Sequence, residues 1–389
     1  MDAILNHPLF MPLLVTLVIM ALFPLVAGYI VLVERKVLAD FQVRLGPMRV
    51  GPHGLLQPIA DAVKLLIKED IIPTDADKAL FWFAPCISTI TALSAFAVIP
   101  FAKAVYIADV NVGLLVVSAM SAVGILGIIL GGWSSNSHYP LLGALRSAAQ
   151  LVSYEVALAF ALLSGVMVAG TLSMRGIVQS QIDRGVWGVF ANYGFMVVPF
   201  ALYIIAATAE TNRAPFDLPE AESELVAGFH TEYSGFRWSL YFLAEYANIF
   251  VVSGVAVTIF LGGWLRPFPS VGWLQPLDYI VPVALFVGSG LACLKLVKKL
   301  VDPMQQKVLL GAIALLVLVG VAFAIPMVNN AMIGIFWFLA KISTIIYLMI
   351  WFRGTFPRYR YDQLMNIGWK VAIPLGMITV MINAILGMV

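Results

Sequence analysis

The chain has little charge: of its 389 residues only 11% are Asp, Glu, Lys or Arg. A soluble domain carries about 25%. With 61% hydrophobic residues and a mean hydropathy of +0.96, the main solvent of this chain is lipid. Cysteine is nearly absent. Cys86 and Cys293 stand alone in apolar segments, which excludes a thiol pair, a metal cluster or a c-type haem site built by this chain. The four histidines, His7, His53, His138 and His230, show no ligand spacing and none lies mid-span, so a transmembrane haem is not expected and any redox centre belongs to a partner. Neither sign of charge is in excess, with 23 Lys and Arg against 21 Asp and Glu, and this excludes a nucleic-acid binder that neutralises many phosphates. There is no G-x-x-x-x-G-K-[ST] loop and no nucleophile–base pair. The glycine pairs Gly131-Gly132 and Gly262-Gly263 precede Trp133 and Trp264 at span ends, where an interfacial aromatic is an anchor; the echo is too short to define a repeat.

What is present is a series of apolar runs of about 20 residues, the length a helix needs to cross roughly 30 Å of hydrocarbon. Lipid offers no partner for a free backbone N–H or C=O, and the runs lack the ten-residue alternation of a barrel, so the expected fold is an all-α polytopic bundle forming one membrane domain over 1–389. Hydropathy and turn signals place ten spans at 10–33, 81–102, 114–132, 148–169, 187–208, 239–263, 277–297, 307–328, 333–352 and 371–388. The first run, from Leu9 to Val33, lacks an A-x-A cleavage site and is expected to be a retained span. Counting from a cytoplasmic first loop, 18 of the 23 basic residues fall on that side. The other side keeps Lys103, Arg175, Arg184 and Arg266, with Lys341 inside a span. The positive-inside rule therefore predicts both termini outside and every motif-rich loop on the cytoplasmic face.

Three features of that face carry chemistry. The segment from Glu34 to Asp70 breaks at Gly46-Pro47 and Gly51-Pro52 and then turns amphipathic. Leu56, Ile59, Val63, Leu66 and Ile67 recur at helical spacing, with Asp61, Lys64 and Lys68 on another face, so this piece is expected to lie along the membrane surface. A plain connector resting on lipid is the alternative. Second, Glu155 and Glu245 sit within apolar helices. A charge at the bilayer centre costs roughly 2.5–3.5 kcal/mol, so such acids usually face an interior and carry protons or ions, although both lie near the cytoplasmic end and a satisfied helix-terminus acid stays open. Third, the loop from Ala209 to Trp238 holds Glu210, Asp217, Glu220, Glu222, Glu224 and Glu232 against only Arg213 and Arg237. Pro215, Phe216, Leu218, Pro219, Leu225, Val226, Phe229, Tyr233 and Phe236 are interleaved with the acids. A solvated acidic face has no use for that much apolar surface, so the loop is expected to fold against something, and crowded, partly buried acids can exchange protons near neutrality.

Together the Glu34–Asp70 segment, GGWSSNSHYPLLGALRSAAQLVSYEV from Gly131 to Val156, the Ala209–Trp238 loop and WFRGTFPRYRYDQLMNIGWK from Trp351 to Lys370 resemble one family, the H-type membrane subunit of respiratory complex I, also called NADH dehydrogenase subunit 1. The resemblance runs from the first span to the last. It implies a subunit of a proton-pumping NADH:quinone oxidoreductase; a bacterial inner membrane is the expected location, with an organellar inner membrane as the alternative. Such a subunit joins the peripheral redox arm to the membrane arm and walls the quinone chamber. It implies quinone (ubiquinone or menaquinone) as substrate, no metal or flavin in this chain, and no catalysis by the isolated chain. The implied partners are the iron–sulfur and quinone-site subunits of the peripheral arm, antiporter-like membrane subunits and lipid. By the same resemblance Arg35, Arg44, Asp61 and Arg353 match residues of the quinone passage. Glu155, Glu210 and Glu245 match the acids leading toward the antiporter-like subunits, and Asp217, Glu220, Glu222, Glu224 and Glu232 match the acidic loop that faces the peripheral arm. The family's usual eight spans are exceeded here by the stretch 271–330, expected to be an inserted transmembrane hairpin. A subunit of another energy-converting complex, a stand-alone ion-coupled transporter and a non-catalytic scaffold are the competing readings.

Overall fold

Lipid forces the backbone to satisfy itself, and the chain does so with helices. The computed structural model describes residues 10–218, 227–297 and 303–387, which contain twelve helices and no strand. They are α1 Phe10–Phe41, α2 Gln57–Ile67, α3 Lys78–Ser94, α4 Gly113–Ser134, α5 His138–Ala169, α6 Met174–Arg184 and α7 Val197–Glu210. After these come α8 Gly235–Phe260, α9 Leu277–Val297, α10 Pro303–Phe323, α11 Pro326–Thr355 and α12 Tyr361–Leu386, the last containing a π-helical turn at Gly368–Ala372.

Among the described residues nine helices are long and apolar enough to span a bilayer; the tenth apolar helix, α7, is shorter. The reason lies in the first part of the expected span 187–208. Asn192, Tyr193 and Gly194 take positive φ values of 49°, 57° and 82°, which no right-handed helix tolerates. The chain therefore makes two 3-10 turns before α7 begins. Its 14 residues rise only about 21 Å. In the opposite sense, α5 begins ten residues before the expected 148, and it ends where Gly170 takes the left-handed conformation at φ 73°.

Burial ranks the helices. In α8, 78% of the most apolar window is buried, against 11% in α9, so α8 is the centre of the bundle and the α9–α10 pair its edge. The Phe23, Phe96 and Phe250 rings meet in the core. At the edge, α9 and α10 approach closely because a Cβ on Gly320 would lie 2.8 Å from Val287 and one on Gly290 would lie 3.1 Å from Val317. Phe286, Phe323 and Phe336 then pack the pair onto α11.

The connecting segments sort to two ends. At one end Arg237 Nε donates to Asp70 Oδ2 (2.7 Å), the Ile71 amide donates to Ser234 Oγ (3.0 Å), and the Tyr359 amide donates to the Pro215 carbonyl (3.1 Å). The first, acidic and last loops thus share one end. At the other, Arg175 pairs with Asp109 at 3.2 Å and Trp187 Nε1 donates to the Arg266 carbonyl at 3.0 Å. This division matches the one the charge count assigns.

α5 and the acidic loop touch at a point with no spare volume. A Cβ on Gly143 would stand 2.8 Å from the backbone of Gly228 and from the Phe229 amide nitrogen. Backbone cannot yield as a flexible side chain can. Gly143→Ala is therefore expected to destabilise the protein by about 1–3 kcal/mol through overpacking, and to expose the 227–238 segment to protease. An unchanged melting temperature and cleavage pattern would show that this contact is loose.

Candidate functional site

The site begins at Glu34. α1 is 32 residues long, more than a bilayer needs, so its last turns carry charge at the loop-rich end. Glu34 is 4% exposed, and its carboxylate accepts hydrogen bonds from Arg213 Nη1 (2.8 Å), Tyr246 Oη (2.6 Å) and Arg353 Nη1. Arg213 is itself buried. Its Nη2 lies 2.9 Å from Glu245 Oε1, and its guanidinium sits over the Tyr246 ring at 4.6 Å. Burial opposes the Arg213 charge, but Glu245, Tyr246 and Glu34 together hold its pKa above the ordinary value. A buried charge is tolerated only when paired and hydrogen-bonded. The set Arg353–Glu34–Arg213–Glu245 pairs its charges as a chain of alternating sign, while Arg213 Nε and Nη2 have no hydrogen-bond partner among the described residues.

This chain of charges borders a cavity of about 160 Å³. Glu155 of α5, Glu210 at the end of α7 and Glu245 of α8 all line it, along with Arg213, Arg353 and His230. Ser121 donates a short hydrogen bond to Glu210 Oε1, and Glu210 Oε2 has no partner among the described residues. A water occupies on the order of 10–15 Å³ of such space, so the cavity has room for roughly ten. Three helix-borne carboxylates around one hydratable space can pass protons between neighbours within hydrogen-bond reach of an intervening water.

The four residues matched to the quinone passage do not form one cluster. Arg35 Nη1 pairs with Asp61 Oδ2 at 2.9 Å, joining α1 to α2, and Gln57 steadies the same carboxylate at 3.0 Å. Arg35 is half exposed there. Arg44 turns to its own neighbour Gln42 (2.6 Å), and Arg353 joins Glu34 and the acid cavity instead. The apolar face of α2 is uncovered, with Leu66 and Ile67 exposed and no residue of the helix buried.

Within the acidic loop the acids separate by environment. Asp217 is buried and accepts from Arg358 Nη2 at 3.0 Å; burial pushes its carboxyl above the ordinary range although Arg358, Arg353 and Arg213 pull it down. Glu232 is half-buried and makes no ion pair among the described residues. Glu220, Glu222 and Glu224 lie outside the described residues. Arg237 lies over Phe81 and Trp82 at 5.1 and 4.6 Å while pairing with Asp70, and so fastens this loop to the first. Among the described residues no three His, Cys, Asp or Glu side chains gather as a metal site.

Glu34, Arg213, Tyr246 and His230 were not among the expected site residues. Arg213 had a usable signal: it is one of two cations in an acid-rich loop too apolar to be solvated. Glu34 had a weaker one, since it is the first charge after a long apolar run and an emerging helix end usually explains such a residue.

Fold and site together define a polytopic α-helical membrane protein with a charge-lined, hydratable cavity near one end. A family model described as NADH dehydrogenase matches residues 13–384. The chain is 84% identical over 389 residues to the second H subunit of the NADH-quinone oxidoreductase of Solibacter usitatus strain Ellin6076, covering 100% of this chain and 99% of the relative. It is 50% identical to the first H subunit of the corresponding enzyme of Koribacter versatilis strain Ellin345, covering 97% and 92% of the two chains. To the H subunit of Rickettsia felis it is 43% identical, covering 90% and 86%. The chain belongs to this NADH dehydrogenase family, the H-type membrane subunits of NADH-quinone oxidoreductase, or respiratory complex I.

His230 yields a pH test of the loop's packing. Burial lowers its pKa from the ordinary 6.5, against the pull of Glu245 and Asp217. The folded loop thus favours the neutral ring, whereas the unfolded chain takes up a proton as pH falls through 6.5. Loop stability is present above that value and declines below it. Hydrogen exchange of residues 227–238 is expected to accelerate as pH falls from about 7.5 to about 5.5, once the intrinsic exchange rate is divided out, and to lose most of that dependence in His230→Asn. Exchange protection that is flat across this range in the wild type would contradict the assignment.

Proposed function

We propose that the chain walls the quinone chamber of a proton-translocating NADH:quinone oxidoreductase, joins its peripheral and membrane arms, and couples quinone reduction to proton movement through its helix-borne acids. The observation that carries this reading is the convergence of Glu155, Glu210 and Glu245 on one cavity bordered by the Glu34–Arg213 pair, at the end where the amphipathic α2 lies. The names of the relatives supply the quinone and the oxidoreductase.

In this account a quinone, ubiquinone or menaquinone, enters from the lipid of a bacterial inner membrane past the uncovered apolar face of α2 and the Arg35–Asp61 pair. The 160 Å³ cavity is small for a tailed quinone, so the passage is completed by partner subunits and the cavity serves protons. An iron–sulfur centre of a peripheral-arm partner delivers two electrons to the quinone, and two protons complete the quinol. The local demand for protons changes the charge near Asp217 and Arg358, the buried pair that ties the acidic loop to the last loop. Arg353 and Arg213, which both bear on Asp217, also hold Glu34. A change at the loop therefore reaches Glu245 through a continuous run of charged partners. The further transfer of protons belongs to antiporter-like partners in the membrane arm.

In the assembled complex Glu155→Gln or Glu245→Gln is expected to lower proton translocation by about tenfold or more, since neither amide can release a proton. Wild-type quinone reduction and wild-type pumping in both variants would end the proton-path reading. A photoreactive quinone analogue is expected to label residues from Arg35 to Asp61; labelling confined to other subunits would remove this chain from the chamber wall.

A further inference from the structure

We propose that the crevice at the opposite end of the bundle, between the α3–α4 connection, the segment entering α9 and the first turns of α11, binds the phosphate of an anionic phospholipid. The crevice measures about 970 Å³. Membrane insertion keeps basic residues off this face, and the charge count leaves only four there. Three of those four, Lys103, Arg175 and Arg266, line this one crevice. They come from three separate places: the α3–α4 connection, the first turn of α6, and the segment entering α9.

The cations are incompletely neutralised. Arg175 meets Asp109 at 3.2 Å, and Arg266 meets Asp278 at 3.3 Å while also donating to the carbonyls of Pro269 and Val271. Both ion pairs are longer than the roughly 2.7–2.9 Å of a strong charge-assisted bond. Asp278 is further engaged by Trp337 Nε1 at 2.8 Å. Lys103 is exposed and has no ion pair among the described residues. Three cations against two carboxylates leave a net positive charge facing the space.

The walls identify the ligand's other half. Trp264 and Trp337 line the crevice, and indole rings favour the headgroup level of a bilayer; Ile333 and Gly334 of α11 continue the wall as apolar surface. A free phosphate has no use for that surface. A zwitterionic lipid brings an ammonium group into a positively charged space. An anionic glycerophospholipid satisfies both parts, with its phosphate among Lys103, Arg175 and Arg266 and its chains along α11. Such a lipid bridges the α3–α4 connection and the start of α6 to the segment entering α9 and to α11.

The test uses the assembled complex, delipidated in mild detergent. It is titrated with phosphatidylglycerol, phosphatidylcholine or inorganic phosphate, with melting temperature and native mass spectrometry as readouts. Phosphatidylglycerol is expected to be retained selectively and to raise the melting temperature of the wild type. Lys103→Gln, at an exposed position that folding does not require, should weaken its apparent affinity about fivefold, and Lys103→Arg should restore it. Equal stabilisation by phosphatidylcholine would reduce the crevice to ordinary lipid contact and overturn the proposal. Reproduction of the effect by inorganic phosphate alone would make it a free-anion site, and wild-type affinity in Lys103→Gln together with Arg175→Gln would equally overturn the assignment. Headgroup selectivity in the wild type is read without any variant.

Discussion

Glu34 sets the terms for the rest of this molecule. A carboxylate taken out of water loses several kcal/mol of hydration that only close, well-directed partners offset. Glu34 is almost fully buried and draws those partners from far away in the chain, Arg213 at 179 residues' separation and Arg353 at 319. Each guanidinium then has its own requirement. Arg213 meets it with Glu245 and the Tyr246 ring, while Arg353 stands beside the last loop, where Arg358 holds Asp217. Removing one member takes a partner from each of its charged neighbours, so helices α1, α8 and α11 and the acidic loop are fixed together by electrostatics as much as by packing.

The same constraint explains how a charged site coexists with a lipid-facing exterior. Charge is sparse in the chain, and at this end much of it is placed inside the bundle, around a space large enough for water. Among the described residues Glu155 and Glu210 stand at that space without arginine partners, in contrast to Glu245, and Glu210 is held by Ser121. One set of acids is thus clamped by cations and the other is left able to gain or lose a proton. The boundary between the two sets runs through Arg213.

Much of this was legible in the sequence, and the failures have physical causes. Apolar run length located the spanning helices because lipid leaves the backbone no alternative. The asymmetry of Lys and Arg sorted the loops to two ends, and the contacts of Arg237 with Asp70 and of Arg175 with Asp109 follow that sorting. The interleaved aromatics marked the acidic loop as packed, and Phe216, Tyr233 and Asp217 are buried there. Hydropathy could not see the start of α7, because Asn192, Tyr193 and Gly194 disrupt a helix through backbone conformation without making the segment polar. Nor could it find Glu34, whose role comes from pairings across most of the chain's length. The quartet Arg35, Arg44, Asp61 and Arg353 divides into a half-exposed pair, a locally bonded arginine and a member of the buried cluster, since residue matching carries no information about which partner a guanidinium chooses.

If Glu34 organises the bundle, then Glu34 and Arg213 act as one unit within the assembled complex. A double-mutant cycle with Glu34→Gln, Arg213→Gln and the pair, read as thermal stability of the complex, tests this most directly. Strong coupling is expected: the double variant should be less destabilised than the sum of the single variants by about 1.5–3 kcal/mol, because the direct bond between the two buried charges is lost in either single variant and cannot be lost twice. Effects that add to within about 0.5 kcal/mol would show that the two residues are independent and that the bundle is organised by something else.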